Sequence, residues 1–309
     1  LLFPAAARAA SACRQGDQAW VWTAPLQPQP GEPLRVLAVA TTRDLDQVQI
    51  TGPDGRRSNL STSPSGGPPW SLLGTLSGPQ RGTYRIEGMR GGRVQACAEV
   101  QVGGDGGDRG SGEWDLATQA LYSAWIERLF DAPPNESLSF ASLTPVLGDP
   151  ERNFLYGYLG RGEDRRLTAE PDCADLSYFL HAYFAWKRGL PIAYRSCSRG
   201  SRASPPRCEA PVIDPALAGP SAPTGTFLDL SRRLMDRVHS GSGRTALRDE
   251  ATDFYPVPLE RTALWPGTLY ADPYGHTLIL VKWVPQTAGR GGLLLAVDAQ
   301  PDNSISRKR

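Results

Sequence analysis

The sequence predicts an α+β protein in which an all-β sandwich precedes a part that combines helices with an antiparallel sheet. Residues 18–102 alternate apolar and polar side chains in short runs that are separated by Pro/Gly turns. From residue 113 onwards apolar residues recur at spacings of three and four, and strand-like runs return only near residues 278–297. Hydrophobic residues make up 40% of the 309 residues, which is enough to form the cores of two modest domains.

Charge and hydropathy exclude several classes of partner. The net charge of +1 provides no long-range field that would attract nucleic acid or an anionic membrane. No stretch after residue 13 approaches the ~20 consecutive apolar residues that span a bilayer. We therefore expect neither nucleic-acid binding nor a transmembrane segment.

Residues 1–12 are typical of the end of a secretory signal. Ala10, Ser11 and Ala12 form an A-x-A arrangement directly before Cys13. The same four residues resemble a bacterial lipoprotein cleavage box, which makes Cys13 a candidate for lipid attachment. The prediction is an exported protein that is periplasmic, tethered to the outer membrane or extracellular.

The chain has five cysteines, and an odd number in an exported protein indicates a free thiol or an external partner. Cys197 and Cys208 flank a short polar loop and are expected to form a disulfide. Cys13 can pair with Cys97 in the first domain, which leaves Cys173 free. If Cys13 carries a lipid instead, Cys97 loses its partner.

The first domain is predicted to cover residues 13–103. Strands are expected at residues 18–23, 34–40, 47–51, 82–87 and 94–102, and the Ser/Pro/Gly-rich stretch at 61–69 is expected to form turns. The segment at residues 52–56 and the Gly-Thr-Tyr-Arg-Ile run at 82–86 resemble bacterial immunoglobulin-like modules.

Residues 104–112 are predicted to be a Gly/Asp linker. A phosphate-binding loop is the alternative, but the segment contains neither G-x-G-x-x-G nor G-K-[ST], and its two aspartates would repel phosphate.

The second domain is predicted to cover residues 113–309. The periodicity predicts helices at residues 113–131 and 144–159, a third that begins at Cys173, and a fourth at 226–238. Residues 195–226 are expected to form a long loop. Strands are predicted at residues 278–284 and 293–297, joined as a hairpin through residues 285–292.

Cys173 is the candidate nucleophile. Asp172 is a good N-cap and Asp175 occupies a capping-box-like position, so Cys173 is expected in the first turn of a helix. The positive end of the helix dipole favours a thiolate there, and the free amides can donate to a substrate oxyanion. The alternative is a buried structural thiol.

A cysteine nucleophile needs a base, and the chain has three histidines. His181 lies eight residues along the same helix, roughly 12 Å from Cys173, whereas proton transfer needs roughly 3 Å. His239 closes a helix and is expected to be a cap or surface residue. His276 precedes a strong strand and is the candidate base, with a buried structural histidine as the alternative.

Asp298 is the candidate for the residue that orients His276. If the two C-terminal strands pair, Asp298 returns to the level of His276 and can accept a hydrogen bond from its second ring nitrogen. Asp272 is the competitor, four residues before His276 in a probable turn.

The sequence supports a metal site less well than it supports a cysteine nucleophile. Cys197, Cys208 and His239 share one region, but they lack the C-x-x-C or H-x-x-x-H spacing of known sites. The sequence therefore implies no metal and no cofactor.

Two segments resemble the NlpC-type peptidases of the papain-like superfamily. They are Asp172-Cys173 before an apolar helix, and Pro-Gly-Thr-Leu-Tyr at 266–270 followed by Gly-His-Thr-Leu-Ile-Leu-Val at 275–281. Matched residue by residue, Cys173 corresponds to the nucleophile of the family and His276 to its base. The resemblance covers residues 113–309, with residues 195–265 as an insertion.

The match departs from the family pattern at three places. Ala174 and Asp175 replace its Ser-Gly, and Thr268 replaces its acidic residue. The third polar residue there is usually His, Asn or Gln, whereas Asp298 is similar to the aspartate of transglutaminase-like cysteine hydrolases.

The resemblance implies a thiol peptidase or amidase that cleaves an amide bond, with cell-wall peptide as the substrate class. The alternatives are an acyl transferase of the transglutaminase-like type and a non-catalytic binding or structural protein that retains the fold.

Overall fold

The computed structural model describes residues 12–104, 112–199, 201, 203–204, 207–214, 224–239, 242, 252–271 and 276–309. Several predictions concern residues outside this part of the chain. They are the signal remnant at 1–11, most of the linker (105–111), much of the 195–265 segment, and the candidate Asp272.

The N-terminal part consists of two antiparallel four-stranded sheets. The strands are β1 (Ala19–Ala24), β2 (Leu34–Ala40), β3 (Gln47–Thr51), β4 (Arg57–Leu60), β5 (Thr62–Gly66), β6 (Trp70–Leu76), β7 (Gly82–Arg90) and β8 (Arg93–Val102). Their orders are β1-β2-β6-β5 and β4-β3-β7-β8. Alternate residues from both sheets, such as Val36, Val48 and Ile86, are fully buried in one shared apolar cluster.

The sequence prediction for this part was incomplete. β5 lies in the stretch at 61–69 that was expected to form turns, and β4 and β6 were not predicted. β5 is an edge strand that pairs only with β6, and Pro64 is compatible with such a position because an edge strand leaves one side unpaired.

The helices differ from the prediction at two places. They are α1 (Leu116–Leu129), α2 (Thr144–Leu147), α3 (Asp175–Arg188) and α4 (Thr224–Arg237). The predicted helix at 144–159 is wrong beyond residue 147, because turns begin in the Gly-Asp-Pro sequence at 148–150. The third helix begins at Asp175, so Cys173 lies in the turn before it.

A five-stranded antiparallel sheet contains both C-terminal candidate residues. Its strands are β9 (Ser139–Phe140), β12 (Leu269–Ala271), β13 (Thr277–Val284), β14 (Leu293–Ala299) and β15 (Ile305–Lys308), in the order β12-β13-β14-β15-β9. A separate pair joins β10 (Ile192–Tyr194) to β11 (Val212–Asp214). The predicted hairpin of β13 and β14 is confirmed, with Ile279 opposite Val297. The protein therefore combines helices with antiparallel sheets, as an α+β class requires.

The outer face of the first sheet packs against the helices. Trp20, Leu37 and Val39 belong to the same apolar cluster as Leu121 and Trp125 of α1. The two parts of the chain thus share buried apolar surface, which opposes separation of one from the other.

Polar contacts reinforce this junction between β5 and α1. Ser65 Oγ donates a hydrogen bond to Glu127 Oε1 at 2.9 Å, and Arg128 Nη1 donates to Ser63 Oγ at 3.0 Å. Burial raises the pKa of Glu127 above its usual range, although Lys282 and the Ser65 hydroxyl partly oppose this shift.

The cysteines pair as the sequence predicted. Cys13 is bonded to Cys97 and Cys197 to Cys208, and Cys173 is free. A sulfur held in a disulfide cannot also carry a thioether-linked lipid, so the suggested lipid attachment at Cys13 is incompatible with this structure. Of the helices that the structure describes, none combines the length and apolar character that a membrane crossing requires.

Candidate active site

The turn that carries Cys173 is shaped by Asp172. Asp172 Oδ1 accepts hydrogen bonds from the backbone N–H of Ala174 at 2.8 Å and of Asp175 at 3.1 Å. The Asp172 carbonyl accepts from Leu176 N–H at 3.0 Å, so Asp172 caps this turn, although the N-cap position of α3 itself is Ala174. Two of the first amides are therefore occupied by the cap. Cys173 N–H has no carbonyl or carboxylate acceptor among the residues that the structure describes.

Cys173 is connected to the beginning of β13. The Thr277 hydroxyl donates a hydrogen bond to the Cys173 carbonyl oxygen, and Thr277 is the residue directly after His276. Thr277 is itself buried. This contact fixes the cysteine turn beside the strand end that presents the imidazole.

His276 and Asp298 are in direct contact. His276 Nε2 lies 3.0 Å from Asp298 Oδ2. The Asp298 side chain is 3% exposed, whereas the His276 side chain is 40% exposed. With Nε2–H donating to the carboxylate, Nδ1 of the neutral imidazole carries the lone pair that can accept a proton. The structure thus brings these two predicted residues together directly and links Cys173 to them through Thr277.

Three further residues surround the Asp298 carboxylate. Gln300 Nε2 donates to Oδ2 at 2.8 Å, and Ser306 Oγ donates to Oδ1 at 3.0 Å. Lys308 Nζ lies 3.6 Å from Oδ1. The sequence analysis missed these residues and Thr277, because only the strand pairing reveals that they face the site.

The electrostatic environment of Cys173 does not favour a thiolate, contrary to what the helix dipole led us to expect. Burial, followed by the charge of Asp172, raises the pKa of the Cys173 thiol, and the nearby backbone amides only partly oppose this. Burial and the charge of Asp172 also raise the pKa of Asp175 to about 7. Cys173 is therefore a thiol, not a standing thiolate, at neutral pH, and attack on a substrate needs a base that removes its proton.

The other two histidines have structural contacts. His181 stacks on Trp114 with ring centroids 4.2 Å apart, and burial lowers its pKa to about 4, so it is neutral at pH 7. His239 Nε2 contacts the Cys197 carbonyl, which anchors it to the segment that carries the second disulfide.

No group of three or more metal-binding side chains converges within the described part of the chain. Cys197 and Cys208 are joined to each other, so neither can serve as a thiolate ligand while that bond exists.

Comparisons with protein-family models, curated proteins and solved structures gave no match to this chain. Function is therefore inferred from the geometry of the site and from the motif resemblance.

Proposed function

We propose that this chain is a cysteine-nucleophile hydrolase of the papain-like type that cleaves an amide bond. The contact of His276 with Asp298, at a strand end bonded through Thr277 to Cys173, is the observation that carries the proposal. A cysteine, a histidine and an acidic residue are the elements of a thiol-hydrolase triad.

Each residue has a defined step in the proposed reaction. His276 Nδ1 takes the thiol proton as Cys173 Sγ bonds to the substrate carbonyl carbon, and Asp298 stabilises the imidazolium that forms. Cys173 N–H donates to the oxyanion. His276 then protonates the leaving amine as the C–N bond breaks, and water, deprotonated by His276, cleaves the thioester to release the acid and regenerate the thiol.

The substrate class comes from the resemblance to NlpC-type peptidases. A peptide or related amide is proposed as the substrate, with peptidoglycan peptide as the first choice for testing. The reaction is proposed to need no metal or cofactor.

A second candidate activity is acyl transfer to an amine. The direct contact of His276 with an aspartate, in place of the His, Asn or Gln usual in NlpC-type peptidases, favours a transglutaminase-like reaction. Addition of a primary amine separates the two, because a transferase forms the amide of that amine whereas a hydrolase releases the free acid.

The domain assignment is part of the same proposal. Residues 13–103 are proposed to be an immunoglobulin-like module and residues 113–309 a papain-like domain with an insertion at 195–265. Two disulfides support folding in an oxidising compartment, hence an exported protein.

Alkylation by iodoacetamide tests the proposal without a known substrate. The four other cysteines are bonded in pairs, so one added mass per native chain reports Cys173. We expect the rate near pH 7 to fall at least about tenfold in His276→Ala, since general-base assistance contributes typically 10²–10⁴-fold. Cys173→Ser should remove labelling, and His239→Ala is the matched control.

Equal alkylation rates in the wild type and His276→Ala across pH 6–9 would contradict the proposal. That outcome would favour a non-catalytic binding or structural protein.

A further inference from the structure

Asp298 is a buried carboxylate with donors on both of its oxygens. A carboxylate that is 3% exposed needs hydrogen bonds to replace the water it has lost. Oδ2 receives bonds from His276 Nε2 at 3.0 Å and from Gln300 Nε2 at 2.8 Å. Oδ1 receives the Ser306 hydroxyl at 3.0 Å and has Lys308 Nζ at 3.6 Å.

The strand register explains why these side chains meet. Ser306 on β15 lies directly opposite Asp298 on β14. Lys308 is two residues after Ser306 on β15, so the alternation of the strand keeps both on the same face. Gln300 lies one residue beyond the end of β14. The carboxylate is thus held between His276 at the start of β13 and the hydroxyl of β15.

We infer that Gln300 and Ser306 are positioning residues that fix the plane of the Asp298 carboxylate, so that Oδ2 stays on His276 Nε2–H. Ser306 occupies the oxygen that faces away from the imidazole and opposes rotation of the carboxylate. Gln300 donates to the oxygen that the imidazole also uses and so holds that oxygen in place. Both act through Asp298, and neither touches the proposed nucleophile.

This inference rests on the proposed function, since it concerns how the proposed base is oriented. Its physical basis is orientation: a carboxylate that can rotate keeps Oδ2 on His276 Nε2–H for a smaller fraction of the time. Partners of this kind, one contact removed from the reacting groups, typically contribute about 10- to 100-fold when they are removed from enzyme sites.

The test is the pH profile of iodoacetamide alkylation at Cys173 in the full chain. In Ser306→Ala and in Gln300→Met, the rate at pH 7 is expected to fall about tenfold, while the limiting rate at high pH, where the thiol ionises without a base, stays unchanged. Ser306→Thr retains the hydroxyl and should restore most of the rate at pH 7. Ser139→Ala is the matched control, because Ser139 lies opposite Ser306 on β9 and is exposed.

The outcomes separate this inference from the proposed function. A profile that is insensitive to His276→Ala overturns the proposed function, and the inference with it. A profile that responds to His276→Ala but is identical in Ser306→Ala, Gln300→Met and Ser139→Ala overturns the inference alone. Thermal unfolding of each variant identifies any that fails to fold, and a purely structural role would lower the unfolding temperature without changing the ratio of the two rates.

Discussion

Lys187→Met is expected to cause a large loss of stability, because Lys187 is the cation that pairs with two buried carboxylates. Lys187 Nζ lies 2.6 Å from Glu163 Oε1 and 2.6 Å from Asp164 Oδ2. The three side chains are between 0 and 1% exposed. Tyr183 also donates its hydroxyl proton to Asp164 Oδ1 at 2.8 Å.

The magnitude follows from removing one partner of this cluster while leaving the others in place. Methionine retains most of the apolar stem but leaves both carboxylates without a cation. Breaking a buried ion pair in this way costs about 3–5 kcal/mol. At about 2–4 °C per kcal/mol for a large domain, the unfolding temperature should fall by roughly 6–20 °C.

The loss should also depend on pH. Burial alone would raise the pKa of Glu163, but the Lys187 ammonium and several hydrogen bonds hold it below its usual value. In the wild type, the stability that this lowered pKa contributes is present above the pKa that Glu163 has in the unfolded chain. It is lost as the pH falls through the lower pKa of Glu163 in the folded state. In Lys187→Met burial dominates and the carboxyl pKa rises. The penalty at neutral pH should therefore shrink as the pH falls and the carboxyls become protonated.

Urea unfolding of wild type and variant between pH 4 and pH 8 measures both effects. Lys282→Met is the control, because the Lys282 side chain is 24% exposed and its loss should cost less. A difference below about 1 kcal/mol at pH 8, or one that does not shrink towards pH 4, would refute the reasoning about the buried cluster.

Three other substitutions test the site and the junction. Asp298→Asn should slow Cys173 alkylation at pH 7 at least about tenfold, since a charge pair at 3.0 Å is worth about 1.4–5.5 kcal/mol at dielectric constants of 80 to 20. Thr277→Val should destabilise the protein by about 1 kcal/mol in urea unfolding, because the Cys173 carbonyl loses its hydrogen bond. Glu127→Gln should raise the free energy of unfolding at pH 8, because burial raises the folded-state pKa of that carboxyl and its ionisation therefore opposes folding. That gain should disappear as the pH falls below the folded-state pKa.

Each of these results has a contradicting outcome. An unchanged alkylation rate in Asp298→Asn would mean that the 3.0 Å contact does not support the base. A Thr277→Ser variant as unstable as Thr277→Val would assign the effect to packing and not to the hydroxyl. A Glu127→Gln variant that is less stable at pH 8 would show that the carboxylate is needed as an anion for Lys282.

The pairing of the C-terminal strands could be predicted from sequence, because it depends on local signals. Two apolar runs separated by a short polar loop define a hairpin, and the hairpin brings Asp298 to His276. The cysteine pairs were also predictable from loop composition and from the odd count.

Residues 148–159 show what local patterns leave out. They were predicted as part of a helix at 144–159, yet they form turns in which buried side chains bond to distant elements. Asn153 Oδ1 accepts a hydrogen bond from Trp125 Nε1 at 2.9 Å. Asn153 Nδ2 donates to the Leu147 carbonyl at 2.8 Å and to the Tyr183 hydroxyl at 2.9 Å. Such long-range hydrogen bonds replace the helical ones, and no periodicity in the segment encodes them.

The residues that surround Asp298 and Cys173 could not be predicted from the sequence for a similar reason. Ser306 reaches Asp298 only through the pairing of β14 with β15, a short strand without strong alternation. Only one of the two effects of Asp172 on the Cys173 turn was predicted. Its capping role was read correctly, but the same charge disfavours a thiolate beside it.

The raised pKa of Cys173 has a consequence for how the folded chain keeps its disulfides. Thiol–disulfide exchange proceeds through the thiolate, so a thiol that stays protonated attacks neighbouring disulfides slowly. The fold thereby protects the Cys13–Cys97 and Cys197–Cys208 bonds from scrambling by the one cysteine that remains reduced. An oxidising environment can then close two bonds while the fifth sulfur stays available.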